Sequence, residues 1–155
     1  MADSAIDFGS AVAQPKRKQG GEVMTIAPYL HFQGDCAEAM QFYADLFDAT
    51  DFKMMRWSDE PSVGMPDSDR ILHSEMKING SELMASDFPE GTTGDPQKAV
   101  SVMIRPASVE EGARYYQALL DHDGDVIMPY GPNFFSAGFG MVRDKWGTHW
   151  MLVCA

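Results

Sequence analysis

The chemistry open to this chain rests on a few side chains, and the first of them are His73 and Glu75. They stand two apart in a mixed apolar stretch, and residues two apart in a strand share a face. A carboxylate so placed fixes the tautomer of an imidazole and raises its pKa, which makes a general acid–base unit. The same pair can instead be structural, bonded to each other or to neighbouring strands, or belong to a non-standard metal site. The sequence leaves all three open. His31, set between Leu30 and Phe32, is assigned to the helix side of its strand and to a structural role. His122, between Asp121 and Asp123, is expected in solvent. No Ser/His/Asp order and no Cys/His pairing supports nucleophilic catalysis. Cys36 and Cys154 lack metal or redox spacing and read as free thiols of a reducing cytoplasm.

The elements that must hold these groups follow from periodicity. Residues 25–32 read as a strand, Gly34-Asp35 as a turn with a helix N-cap, and 37–47 as a helix with Ala39, Phe42, Tyr43, Leu46 and Phe47 on one face. A strand is expected at 52–57, a polar loop at 58–69, and a hairpin of 71–78 with 82–86 turned at Asn79-Gly80. After a loop at 87–97 the order repeats: strand 99–105, helix 109–120, short strand 126–128, loop 129–137, and a closing hairpin of 139–143 with 148–154. Residues 1–23, small and polar around the basic Pro15-Lys16-Arg17-Lys18, are expected to be a disordered leader or sequence upstream of a start at Met24.

Two segments align with each other. A shift of 73 lays Phe42-Tyr43-Ala44-Asp45-Leu46-Phe47 on Tyr115-Tyr116-Gln117-Ala118-Leu119-Leu120. A shift of 67 lays Gly80-Ser81-Glu82-Leu83-Met84 on Gly147-Thr148-His149-Trp150-Met151. The expected fold is therefore α+β, with modules at 24–87 and 98–155 making one domain over 24–155.

Charge narrows the partners. The chain holds 12 Lys and Arg against 23 Asp and Glu, a net charge of −11. A nucleic-acid groove needs clustered cations, and an anionic membrane repels such a surface. Apolar runs fall well short of the roughly 20 residues that span a bilayer. No nucleic-acid or membrane partner is expected, and the cytoplasm is the expected compartment.

Several segments carry a resemblance to a known group. They are Ala27-Pro28-Tyr29-Leu30-His31-Phe32 with Gly34, then Ala39 and Phe42-Tyr43, Leu72-His73-Ser74-Glu75-Met76 and Leu83-Met84-Ala85-Ser86-Asp87. Further on stand Gly140-Met141-Val142 and Asp144-Lys145-Trp146-Gly147-Thr148-His149-Trp150-Met151. Together they resemble the glyoxalase/bleomycin-resistance/dioxygenase group, the vicinal-oxygen-chelate superfamily, and within it the PhnB-like branch labelled 3-demethylubiquinone methyltransferase-like. The resemblance implies paired βαβββ modules whose mixed sheets curl around a cavity, commonly in a homodimer. It also implies a divalent metal held by one ligand from each of four strands. Those positions fall here at Pro28, Met84, Ser101 (or Ala99, with a two-residue slip) and Met151. A hard or borderline dication wants imidazole nitrogen or carboxylate oxygen. Neither a metal nor an organic cofactor is therefore expected, and no Gly-rich βα turn marks a nucleotide-derived one.

Alternation sets the expected lining of the cavity. Met84 and Ser86 share a face, as do His149 and Met151, with Ser101 and Met103 completing the wall and Phe134 and Phe135 serving as an aromatic flap. Twelve methionines suit either core packing or a pocket for an apolar or aromatic ligand of variable shape. The expected function is metal-independent small-molecule binding, of the sequestering kind found among resistance proteins. The alternative is a lyase, isomerase or transferase acting on a small organic substrate through His73 and Glu75 or a displaced metal.

Overall fold

In the computed structural model of the protein, residues 24–64 and 67–155 are described. The expected leader at 1–23 lies outside them. Two four-stranded sheets follow one another with the same internal order. The first is built from β1 (Tyr29–Phe32), β2 (Thr50–Arg56), β3 (Ile71–Ile78) and β4 (Ser81–Asp87), arranged β1-β4-β3-β2. The second takes β5 (Val102–Ile104), β6 (Asp125–Gly131), β7 (Gly138–Arg143) and β8 (His149–Cys154), arranged β5-β8-β7-β6. Each first strand pairs in parallel with its fourth and the remaining pairs are antiparallel, so both sheets are mixed. Helices α1 (Cys36–Leu46) and α2 (Val109–Asp121) each cross from the first strand of a sheet to the second. The fold is α+β, two βαβββ modules, and among the described residues no helix is long and apolar enough to cross a membrane.

Local chemistry fixes where these elements begin. β1 is shorter than its expected 25–32: Pro28 has no N–H to give to the ladder, so the strand starts at Tyr29, while the Pro28 carbonyl accepts the Met84 N–H at 3.1 Å. β5 is also shorter than its expected 99–105, because Ala99 sits at φ 55 and breaks the extended run. β6 runs longer, through Pro129, which a sheet-edge strand tolerates. Asn79 and Gly80, at φ 47 and 81, make the tight turn between β3 and β4. Asp87 closes the first module: Oδ1 accepts the Gly34 and Cys36 N–H groups (2.8 and 3.0 Å) and Oδ2 accepts that of Ile71 (2.8 Å). At α2, Ser108 accepts the Glu111 N–H and the Glu111 carboxylate accepts the Ala107 N–H.

One face of each sheet is sealed by helices. Leu30, Phe32, Met76, Leu83 and Ala85 of the first sheet and Val142, Trp150 and Leu152 of the second are buried in one continuous core with Tyr43, Phe47, Tyr116 and Leu119. The modules are latched by a buried polar knot. Asp144 Oδ2 accepts the Tyr43 hydroxyl (2.5 Å) and the Trp150 indole N–H (2.8 Å), while Oδ1 accepts the backbone N–H groups of Trp146 and Thr148. Burial pushes the Asp144 carboxyl above its usual range even against these donors. Burial, with Asp144 alongside, holds the Tyr43 phenol well above its own.

Two histidines depart from expectation. His31 lies on the face opposite Leu30 and Phe32, both buried, so it belongs to the open side of β1 and not to the helix side. Period-two alternation requires this placement. His122 is not simply solvated. Its ring stacks on Phe42 at 4.4 Å and lies 5.3 Å from Trp146, and its Nε2 is buried without a hydrogen-bond partner.

Candidate functional site

The open face of the first sheet gathers its polar groups into one connected line. His73 and Glu75 do share that face, with His73 Nε2 3.5 Å from Glu75 Oε2. The Tyr29 hydroxyl reaches His73 Nδ1 at 3.0 Å, and Glu75 Oε1 takes the Lys53 ammonium at 2.9 Å. Lys53 is the larger influence on Glu75, with His73 second, and together they hold its carboxyl below the usual range. Beside them Ser86 Oγ lies 3.2 Å from His31 Nδ1. Four rings run on in sequence: Phe88 to His31 at 5.2 Å, His31 to Tyr29 at 5.1 Å, and Tyr29 to His73 at 5.8 Å.

The open face of the second sheet is apolar where the first is polar. Met103 stands opposite Met151, which stands opposite Met141. His149 pairs with Arg143 in the next row. Phe135 packs edge-on against Phe139 at 5.1 Å, and Phe134 is 98% exposed beside it. The two flap phenylalanines thus sit by the methionine face, at its open side.

Two clefts lie at opposite ends of the seam between β1 and β5, and of the expected lining only His149 borders one and Met103 the other, while Met84, Ser86, Met151, Phe134 and Phe135 line neither. One, of about 590 Å³, is lined by His31, Phe88, Lys98, Arg143 and His149. The other, of about 670 Å³, is lined by Pro28, Glu82, Met103, Arg105 and Tyr115 above the buried Phe47 and Trp150. The first cleft pairs the end of β1 with the run-in to β5, and the second pairs the start of β1 with the end of β5. The clefts are related by the internal repeat, since Glu82 of one corresponds to His149 of the other under the shift of 67. The first end carries the imidazoles of His31 and His149, and the second carries the carboxylates of Glu82 and Glu111.

The strand register refines the expected ligand row. Opposite Met84 stands Tyr29, and opposite Met151 stands Met103. Pro28 falls one residue before Tyr29 and Ser101 two before Met103, both just outside their strands; Ser101 is half-buried and lines neither cleft. With either register the donor set is thioether, phenol, hydroxyl or no side-chain donor at all, and it does not fit a hard or borderline dication. Among the described residues no group of three His, Cys, Asp or Glu side chains could hold a metal ion. Sequence reasoning missed Tyr29, His31 and Phe88. The signal for the first two was present, because alternation around the apolar Leu30 and Phe32 sends both to the open side.

Comparison with known proteins agrees with this architecture. A family model described as 3-demethylubiquinone-9 3-methyltransferase matches residues 24–153. Protein YjdN of Escherichia coli (strain K12) is 33% identical over 142 residues, covering 83% of this chain and 94% of its own. The crystal structure of protein PA1353 from Pseudomonas aeruginosa superposes with a TM-score of 0.78 at 34% identity, covering 85% of this chain and 98% of its own. The PhnB protein from Bacillus cereus superposes with a TM-score of 0.69 at 31% identity, covering 85% of this chain and 100% of its own. Glyoxalase/bleomycin-resistance and fosfomycin-resistance structures share the fold alone.

Proposed function

Because this chain belongs to the PhnB-like 3-demethylubiquinone-9 3-methyltransferase family of the vicinal-oxygen-chelate superfamily, we propose that it binds a small organic molecule between its two open sheet faces without a hard divalent metal. The observation that carries this reading is the strand register, with Tyr29 opposite Met84 in the first sheet and Met103 opposite Met151 in the second, so that the positions the resemblance assigns to carboxylates hold thioethers. The ligand contacts are Met84, Ser86, Met103, His149 and Met151, with Phe134 and Phe135 as flap, and Tyr29, His31 and Phe88 join them. Ser101, outside β5, is a contact only for a ligand that reaches past the strand.

Methyl transfer, named in the family's description, would need a methyl donor. Both helix N-termini, where an anionic donor group could dock, are filled from within: by Asp87 at α1 and by Ser108 and Glu111 at α2. The residues at these termini do not fit a nucleotide-derived donor.

The functional unit is a homodimer in the cytoplasm. Exposed Phe134 and Phe135 support pairing with a second copy, because such patches mark contact sites. A second reading, an enzyme, is favoured by one observation: Tyr29, His73 and Glu75 form a phenol–imidazole–carboxylate line able to move a proton.

Elemental analysis of protein purified without chelator, with anomalous scattering at zinc, nickel and manganese edges, tests the metal-free reading. We expect well under one equivalent and no peak at Met84 or Met151. One equivalent there would overturn it.

A further inference from the structure

A line of three thioethers crosses the open face of the second sheet. Met103 stands opposite Met151 and Met151 opposite Met141, so β5, β8 and β7 each give one residue to a single row, and Met128 of β6 stands opposite Met141 between two register shifts of that ladder. Directly opposite residues on one face bring their Cβ atoms to about 4.5–5.5 Å. The unbranched methionine chain has three rotatable bonds beyond that point, enough for neighbouring sulfurs to converge on one atom. Met103 and Met128 are 48% and 46% exposed, and Met141 and Met151 are half-buried, so the row is open to an ion from solvent.

The rest of the molecule sets this row apart. The matching row of the first sheet reads Lys53, Glu75, Met84, Tyr29, one thioether beside a carboxylate already paired with an ammonium. The two thiols are buried, and burial, with Asp87 adding to it, pushes the Cys36 thiol far above its usual range, away from the thiolate that metals take. The methionine row therefore offers clustered sulfur at the surface without a competing carboxylate in it.

Thioether sulfur is a soft, neutral donor that selects Cu(I) over the dications held by oxygen and imidazole. We infer that Met103, Met151 and Met141 form a binding site for a soft monovalent cation, Cu(I) or Ag(I), with Met151 at its centre and Met128 at hand as a fourth ligand. The inference goes beyond the proposed small-molecule function and does not depend on it.

The test uses the full chain labelled with 13C at the methionine methyls, titrated with silver nitrate in chloride-free buffer, where Ag(I) is a redox-inert stand-in for Cu(I). Anaerobic competition for Cu(I) against a chromophoric chelator runs in parallel. We expect one equivalent to move the methyl signals of Met103, Met141 and Met151 together. Each of Met103→Leu, Met141→Leu and Met151→Leu should weaken binding at least tenfold, while Met54→Leu and Met84→Leu leave it unchanged. These swaps conserve volume on a partly exposed face, so the variants keep the fold. Signals that move uniformly at all exposed methionines, or silver consumed by the thiols with the row unmoved, would overturn the inference. Zinc and manganese arms separate it from the proposed function: a dication response alone defeats both, whereas a failed silver titration leaves the small-molecule reading standing.

Discussion

Tyr29, on β1, reaches across β4 to set its hydroxyl 3.0 Å from Nδ1 of His73, on β3. The other ring nitrogen faces the Glu75 carboxylate, which can only accept, so Nε2 carries the proton and Nδ1 is left as acceptor for the phenol. Neutral His73 is then the Nε2–H tautomer. Two-bond 15N–1H spectra near pH 8 should show a protonated Nε2 and a bare Nδ1, and Tyr29→Phe should weaken that preference. A dominant Nδ1–H form in the unaltered chain would contradict the arrangement.

The Asp144 knot predicts both a magnitude and a pH trend. Asp144→Asn turns part of an all-acceptor group into a donor facing four donors, and should cost about 2–3 kcal/mol, a large share of a small domain's stability. Because burial raises this carboxyl, the folded chain binds its proton more readily than the unfolded one. The Asp144 contribution is thus fully present below the unfolded pKa of about 3.9 and declines as pH rises through the raised value. Urea midpoints measured across that window should show the gap between native and variant narrowing as pH rises. A widening gap would reverse the sign.

Gly112 reverses an ordinary helix rule. Alanine in place of an interior helix glycine normally stabilises by about 1 kcal/mol. Here a Cβ would stand 2.2 Å from the Tyr130 hydroxyl and 3.0 Å from Cys154 Sγ. Gly112→Ala should therefore destabilise, by about 1–3 kcal/mol, as overpacked cores do. A thermal melt with an unchanged or raised midpoint would show that Tyr130 moves aside freely.

Much of this architecture was legible because it rests on local signals. The turn at Asn79-Gly80, the α1 face of Ala39 and Tyr43, and the repeat that equates Met84 with Met151 are all written in spacing and residue type. The strand starts were not, since Pro28 and Ala99 act through a missing donor and a left-handed backbone angle that periodicity does not register. His73 and Glu75 could be placed on one face from alternation, but Tyr29 joins them across an intervening strand, a contact between residues 44 apart that only the sheet order reveals. Asp144 lies between the strands of the closing hairpin, and its union with Tyr43, 101 residues away, rests on the packing of one module on the other, which local spacing does not register.

The dimer has a direct reading. Light scattering at micromolar concentration should give twice the 17.1 kDa chain mass, and Phe134→Glu should shift it towards one chain. Phe134 is almost fully exposed in the single chain, so the substitution leaves the fold alone and acts on a partner contact. A monomer mass for the native protein would remove that part of the account.

The central claim, binding on the open faces without a hard metal, is tested most directly by ligand-induced stabilisation with and without chelator. A small-molecule library is screened by thermal shift, and each hit is repeated in excess EDTA and then with added manganese, zinc or nickel. A ligand held by the protein alone raises the melting temperature by the same amount in all arms, because stabilisation follows the ratio of free ligand to Kd. Hits that Tyr29→Phe or Met151→Ala weakens, with shifts indifferent to chelator, are the predicted result. Shifts that vanish in EDTA and return with a dication would contradict the account.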